Sequence, residues 1–115
     1  MTTIDHNPRC SKSRETLALL EANNIQADIR LYLEDSPSED EIRTLLDQLA
    51  ISPIKLMRTK EALYKENNLH LEGVTDPERI AAMQAFPKLI ERPIVIHNNQ
   101  AKIGRPPEQV LELFK

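Results

Sequence analysis

Cysteine is almost missing from this 115-residue chain, with Cys10 its only example. An internal disulfide is excluded, and a free thiol suits a reducing compartment, so a cytoplasmic setting is expected. Tryptophan is absent and the aromatics number four, two Tyr and two Phe, which argues against base-stacking platforms. No basic excess is present either. The net charge is −3, so no global positive field invites nucleic acid. No apolar run approaches the length of a membrane span, and Met-Thr-Thr-Ile-Asp-His lacks the basic and apolar regions of a signal peptide. His6, His70 and His97 lie far apart and, with one cysteine, give no metal-ligand spacing. Low-complexity stretches and internal repeats are lacking. What these absences leave is a single domain, residues 1–115, long enough to bury a core without staples and expected to be a monomer.

The patterning within that domain is informative. Thr2 to Asp5 reads as a short strand, and residues 11–23 as a helix with Leu17 and Leu20 on one side. Ile25, Ala27, Ile29, Leu31 and Leu33 alternate with polar residues through Glu34, which predicts a strand with one buried face. Ser36-Pro37-Ser38-Glu39-Asp40-Glu41 holds overlapping capping-box patterns ahead of Ile42, Leu45, Leu46 and Leu49 at helical spacing. Several short helices follow between Ile51 and Pro87, one opened by Asp76-Pro77 with Thr75 and Glu78 three apart. Near the end, Pro93–His97 and Gln100–Gly104 flank Asn98-Asn99, a two-residue hairpin turn. A last helix begins at Pro106-Pro107-Glu108. The order is β-α-β, a helical insert over roughly 37–90, then β-β-α, which points to an α/β, thioredoxin-like (glutaredoxin-type) small mixed sheet.

Cys10 sits where the first strand hands over to the first helix. Arg9, Lys12 and Arg14 flank it, and helix N-terminal amides and cations are what lower a cysteine pKa. The alternative, a cysteine packed as a small hydrophobe, fits these polar neighbours less well. Two thiol chemistries fail on spacing: position 16 is Thr where a phosphatase-type loop wants arginine, and position 13 is Ser where a dithiol site wants cysteine. A redox cycle at Cys10 therefore needs an outside thiol, and glutathione or a glutaredoxin fits that gap. Arg58, Arg92 and Arg105 stand at turns and strand ends, where guanidinium groups can grip oxyanions. From spacing alone each reads first as a solvated surface arginine. The default for Arg92-Pro93 is trans. His6 either raises the thiolate fraction or bonds a carbonyl at the strand end, and His70 and His97 read as solvated loop residues.

The run His6-Asn7-Pro8-Arg9-Cys10-Ser11-Lys12-Ser13-Arg14-Glu15-Thr16-Leu17 closely resembles the active-site loop of glutaredoxin-linked, ArsC-type arsenate reductases. The likeness continues through Tyr32-Leu33-Glu34, Leu56-Met57-Arg58, Glu91-Arg92-Pro93-Ile94-Val95 and Ile103-Gly104-Arg105-Pro106-Pro107, and so covers nearly the whole chain, in the manner of the short bacterial branch. The resemblance implies a thioredoxin-like sheet and a reaction in which Cys10 attacks arsenate or a similar oxyanion. It implies Arg58, Arg92 and Arg105 as anion-binding residues, Pro93 as a cis-proline, His6 as an activator of Cys10, and Asn7 and Ser13 as shapers of the loop. Glutathione would be the co-substrate and glutaredoxin the partner, with no bound cofactor and no metal. The runner-up is a regulator resembling the Spx proteins, which bind RNA polymerase; many of these carry Cys-x-x-Cys, which Ser13 does not supply.

Overall fold

The computed structural model describes residues 2–115, and their contacts group into two compact units, Met1–Asp35 with Arg92–Lys115, and Ser36–Glu91. The first unit is built on a four-stranded mixed sheet. Strand β1 (Thr2–Asp5) is central, parallel to β2 (Asp28–Arg30) and antiparallel to β3 (Ile94–His97), which in turn pairs antiparallel with β4 (Gln100–Ile103). Strand order is therefore β2-β1-β3-β4, the small mixed sheet expected from the order of elements.

Helix α1 (Ser11–Ala22) and a C-terminal 3₁₀ helix (Pro107–Phe114) supply the core on one face of that sheet. Ile4, Leu20, Val95, Val110 and Leu113 are buried together there, with Leu17, Ile25, Ala27 and Phe114 packed at the margin. Full burial of a side chain of this size contributes about 1.5–3 kcal/mol, so a four-residue β1 is held by Ile4 and by pairing along both edges. The β3–β4 turn falls where the sequence puts it. Asn98 and Asn99 have φ of 49° and 64°, the left-handed pair that a two-residue I′ hairpin requires.

Three readings need correction. The strand expected over residues 25–34 is hydrogen-bonded only at Asp28–Arg30, and its apolar face is not buried: Ile29, Leu31 and Leu33 are exposed whereas Tyr32 is buried. The cause is position, because β2 is an edge strand and the core lies over β1 and β3. His97 is not a loop residue. It sits in β3 opposite Thr2, with Thr2 Oγ1 and His97 Nδ1 2.8 Å apart and the ring on Phe114 at 4.5 Å. The last helix is 3₁₀ rather than α throughout.

The second unit is helical. Helices α2 (Glu39–Leu49), α3 (Pro53–Leu56), α4 (Ala62–Glu66) and α5 (Asp76–Ala85) are followed by a 3₁₀ turn (Pro87–Leu89), and α5 packs on α2 and α3. Both capping boxes form: Ser38 with Glu41 opens α2, and Thr75 with Glu78 opens α5. Met57 and Ile90 make an isolated antiparallel bridge, with Arg58 N–H donating to Leu89 C=O and Glu91 N–H to Leu56 C=O. No helix among the described residues is long and apolar enough to cross a membrane.

Candidate active site

Cys10 is the N-cap of α1, with extended backbone dihedrals, and its carbonyl accepts the first helical bond from Arg14 N–H at 3.0 Å. The loop that delivers it is wound around Asn7. The Asn7 carbonyl accepts from Cys10 N–H (3.0 Å), its Oδ1 accepts from Arg9 N–H (3.1 Å), and its own N–H donates to Ser13 Oγ (3.0 Å). Arg14 clamps the far side by donating to Pro8 C=O at 2.9 Å. Two of these bonds use the backbone of residue 7, and the Asn side chain adds the third.

Ser13 is the hidden half of this construction. It is fully buried, and its Oγ lies 2.6 Å from His6 Nδ1. The hydroxyl accepts from Asn7 N–H and shares a second hydrogen bond with His6 Nδ1, whose direction follows the imidazole tautomer. Burial, helped by the nearby Arg14 charge, pushes the His6 pKa down and keeps the ring neutral. A neutral His6 brings no cation to the sulfur. Its contact is with Ser13, and through Ser13 with the loop.

Cys10 is partly exposed. Burial alone would push its thiol pKa up. The Ser13 N–H, the Arg92 charge, the Lys12 N–H and a hydrogen bond from the Arg92 side chain together outweigh burial and hold the thiol below its ordinary value. The sulfur makes no capping hydrogen bond of standard geometry, so the two helix amides act on it chiefly as dipoles. Arg105 adds its Nη2 at 3.7 Å from Sγ, and its Nε donates to Arg92 C=O at 2.8 Å. One arginine thus steadies the backbone of the other.

Arg92 and Arg105 are therefore brought to Cys10 within one unit. Arg58 belongs to the helical unit, where its Nη1 holds Glu61 Oε2 at 2.8 Å. Arg92 Nε is buried with no hydrogen-bond acceptor among the described residues. A thiolate beside two guanidinium groups and two helix amides can bind an oxyanion and attack it.

The Arg92-Pro93 peptide is cis, against the trans default, and so is Arg105-Pro106, which nothing in the spacing singled out. Two further residues support the site without touching the sulfur. Thr16 is fully buried and donates Oγ1 to Lys12 C=O at 2.8 Å. A Cβ on Gly104 would stand 2.6 Å from Thr16 Oγ1 and 2.8 Å from Pro93 Cγ, so only glycine lets the chain leaving β4 pass between α1 and the cis-proline. The Gly104 N–H donates to Pro93 C=O at 2.9 Å. A glycine closing a strand just before an arginine was the available signal for this close approach.

Comparison with known proteins agrees with this geometry. A model of the ArsC family matches residues 6–113. An arsenate reductase of Haemophilus influenzae is 50% identical over 112 residues, covering 96% of this chain and 97% of its own. An uncharacterized Escherichia coli protein, YfgD, is 52% identical over 111 residues, covering 96% of this chain and 93% of its own. Among solved structures, an arsenate reductase from Vibrio cholerae superposes with a TM-score of 0.95 at 55% identity, over 97% of this chain and 96% of that one.

Proposed function

The chain belongs to the ArsC family, and on that basis we propose that it is an arsenate reductase whose nucleophile is Cys10. The observation that carries this reading is the sulfur itself. Its pKa is lowered by Arg92 and by two helix amides, and Arg105 stands 3.7 Å away. A thiolate and an arsenate repel one another, so guanidinium groups must offset the charge before attack. Arg92 and Arg105 supply that offset at the sulfur. The buried Arg92 Nε, without an acceptor of its own, supports an oxyanion as its partner.

The Cys10 thiolate attacks arsenic, and one oxygen leaves as water after protonation. The product is a sulfur–arsenic(V) adduct. Glutathione then attacks the Cys10 sulfur. Two electrons pass to arsenic, arsenite departs, and Cys10 is left in a mixed disulfide with glutathione. A dithiol glutaredoxin takes the glutathione and returns Cys10 to the thiol. The outside thiol is needed because the chain has no second cysteine, and position 13 is a buried serine bonded to His6. His6, Asn7 and Ser13 serve as positioning residues for the loop. A reducing compartment, the cytoplasm, suits such a cycle.

The test couples arsenate reduction to NADPH oxidation through glutathione, glutaredoxin and glutathione reductase. Wild-type protein is expected to turn over and Cys10→Ser to be inactive. Turnover that survives Cys10→Ser sinks the mechanism, and no turnover by folded wild type sinks the substrate.

A further inference from the structure

The alternation from Ile25 to Glu34 is longer than the strand it forms. Only Asp28–Arg30 pair with β1, and Ile29 stands 52% exposed on that edge; the chain turns away at Leu31, whose C=O accepts from Glu34 N–H and Asp35 N–H. Exposed edges with apolar side chains are templates for another strand.

The edge has a defined hydrogen-bonding face. His6 N–H donates to Arg30 C=O at 2.9 Å, and the register pairs Asp5 with Arg30 and Thr3 with Asp28. In a parallel pair alternate residues turn their peptide groups to the same neighbour. Asp28 and Arg30 therefore face β1, and the Ile29 N–H and C=O face the open edge. Read outward from Ile29, the strand is complementary to itself. Run antiparallel against a copy, Ile29 meets Ile29 and Asp28 meets Arg30.

Ile29 would then be the hydrogen-bonded pair, and Asp28 opposite Arg30 the closer, non-hydrogen-bonded pair in which side chains interact most. The Arg30 Nε already holds Asp35 Oδ2 at 3.2 Å, and a guanidinium with five donors can serve two carboxylates. Beside the edge runs an open groove of about 980 Å³ lined by Leu17, Ile25 and Ile29 together with Glu21 and Asp28. It gives an incoming strand apolar contact on the α1 face of the sheet.

We propose that two copies of this chain associate through β2, antiparallel about a two-fold axis at Ile29, so that two four-stranded sheets become one. The interface is isologous, each copy presenting the same Asp28-Ile29-Arg30 segment. It is also small and charge-dependent, so the dimer forms at high concentration and weakens with salt. The inference rests on the sheet edge and stands apart from the proposed reaction.

The experiment is sedimentation equilibrium of the full chain at low salt, from roughly 10 µM to roughly 1 mM, the range in which a small interface assembles. Wild type is expected to show a monomer–dimer equilibrium. Ile29→Lys is expected to raise its dissociation constant at least about tenfold while arsenate reduction stays at the wild-type rate. Ile29→Thr, which keeps a β-branched residue in the strand, is expected to weaken it in the same direction. Asp28→Arg and Arg30→Asp each place like charges opposite one another twice, and each is expected to weaken the dimer about fivefold. The two together are expected to return it to within about threefold of wild type. A wild type that stays monomeric throughout overturns the proposal. So does a dimer indifferent to Ile29→Lys and Ile29→Thr, or a double swap no tighter than the single ones.

Discussion

Helices α1 and α2 begin with the same shortage, a first turn of backbone N–H groups without intrahelical acceptors, and fill it differently. At α2 the chain supplies everything. Ser38 Oγ accepts from Glu41 N–H at 3.1 Å, Glu41 Oε1 accepts from Ser38 N–H at 3.1 Å, and Glu39, Asp40 and Glu41 set negative charge against the dipole. At α1 the cap is Cys10, which makes no side-chain capping bond, and the first turn carries no acid but Lys12 and Arg14. The positive end of α1 is left for a sulfur anion and whatever anion lies beside it. A helix start satisfied by its own side chains contributes stability; one whose satisfaction is withheld becomes a site.

Removing the serine at each start separates the two uses most sharply. Ser13→Ala leaves His6 Nδ1 and the Asn7 N–H without their partner in a buried place, and is expected to cost about 1–3 kcal/mol of stability. The loosened loop also lets the Cys10 thiol drift back toward its ordinary pKa, so alkylation at neutral pH slows. Ser38→Ala is expected to cost about 0.5–2 kcal/mol and leave alkylation unchanged. Denaturant unfolding and iodoacetamide kinetics on both variants read the two effects. A Ser13→Ala protein that alkylates like wild type would show that the hydroxyl serves stability only.

The same contrast explains which parts of the molecule could be read from residues alone. Capping boxes are local, so Ser38 with Glu41 and Thr75 with Glu78 were legible, as were β1, α1, the Asn98-Asn99 turn and the split between sheet and helical insert. The helix-start setting of Cys10 was legible in part, because Lys12, Arg14 and the start of α1 are its sequence neighbours. Arg92 and Arg105 stood out as strand-end arginines, but only a family resemblance put them beside Cys10. They reach Cys10 by way of β3 and β4, across more than eighty residues of chain, and periodicity carries no information over such a span. The bond from Ser13 to His6 was missed for the opposite reason. Seven residues apart, His6 read as a thiolate activator or carbonyl partner and Ser13 as a shaper of the loop. Nothing in the spacing joins them until the turn at Asn7 folds them together. The burial of β2 failed because a period of two reports alternation, whereas burial depends on whether a strand is central or at an edge.

Ser11→Glu makes α1 resemble α2. Ser11 is exposed and opens the helix, so a carboxylate there complements the dipole and is expected to add roughly 0.3–1 kcal/mol of stability. It also faces the thiolate with a like charge. The Cys10 pKa is expected to rise, moving the midpoint of the alkylation-rate profile to higher pH, although the cysteine itself is untouched. Ser11→Gln, which is neutral, is the control and should leave the midpoint where it is. Stability gained and thiolate lost in one variant would confirm that the two helix starts draw on the same electrostatic resource. A rise in stability with no movement of the midpoint would show that charge at position 11 does not reach the sulfur, leaving the Ser13 and Lys12 amides and Arg92 to set the Cys10 shift.

The smallest expected effect concerns acid. The folded His6 pKa lies below the unfolded value near 6.5, so over that interval the unfolded chain binds more protons than the folded one. Stability from His6 is accordingly full above about pH 6.5 and is lost as pH falls from there toward the lowered folded value. The boxed helix start at α5 behaves differently. Glu78, held low by the Thr75 N–H and hydroxyl, keeps its contribution until pH falls into the carboxylate range. Urea unfolding at a series of pH values should therefore show one loss beginning near pH 6.5 that His6→Gln removes, and a later one that it leaves in place. If His6→Gln leaves the first loss unchanged, the neutral ring bonded to Ser13 is not its source, and the α1 loop tolerates a charged His6.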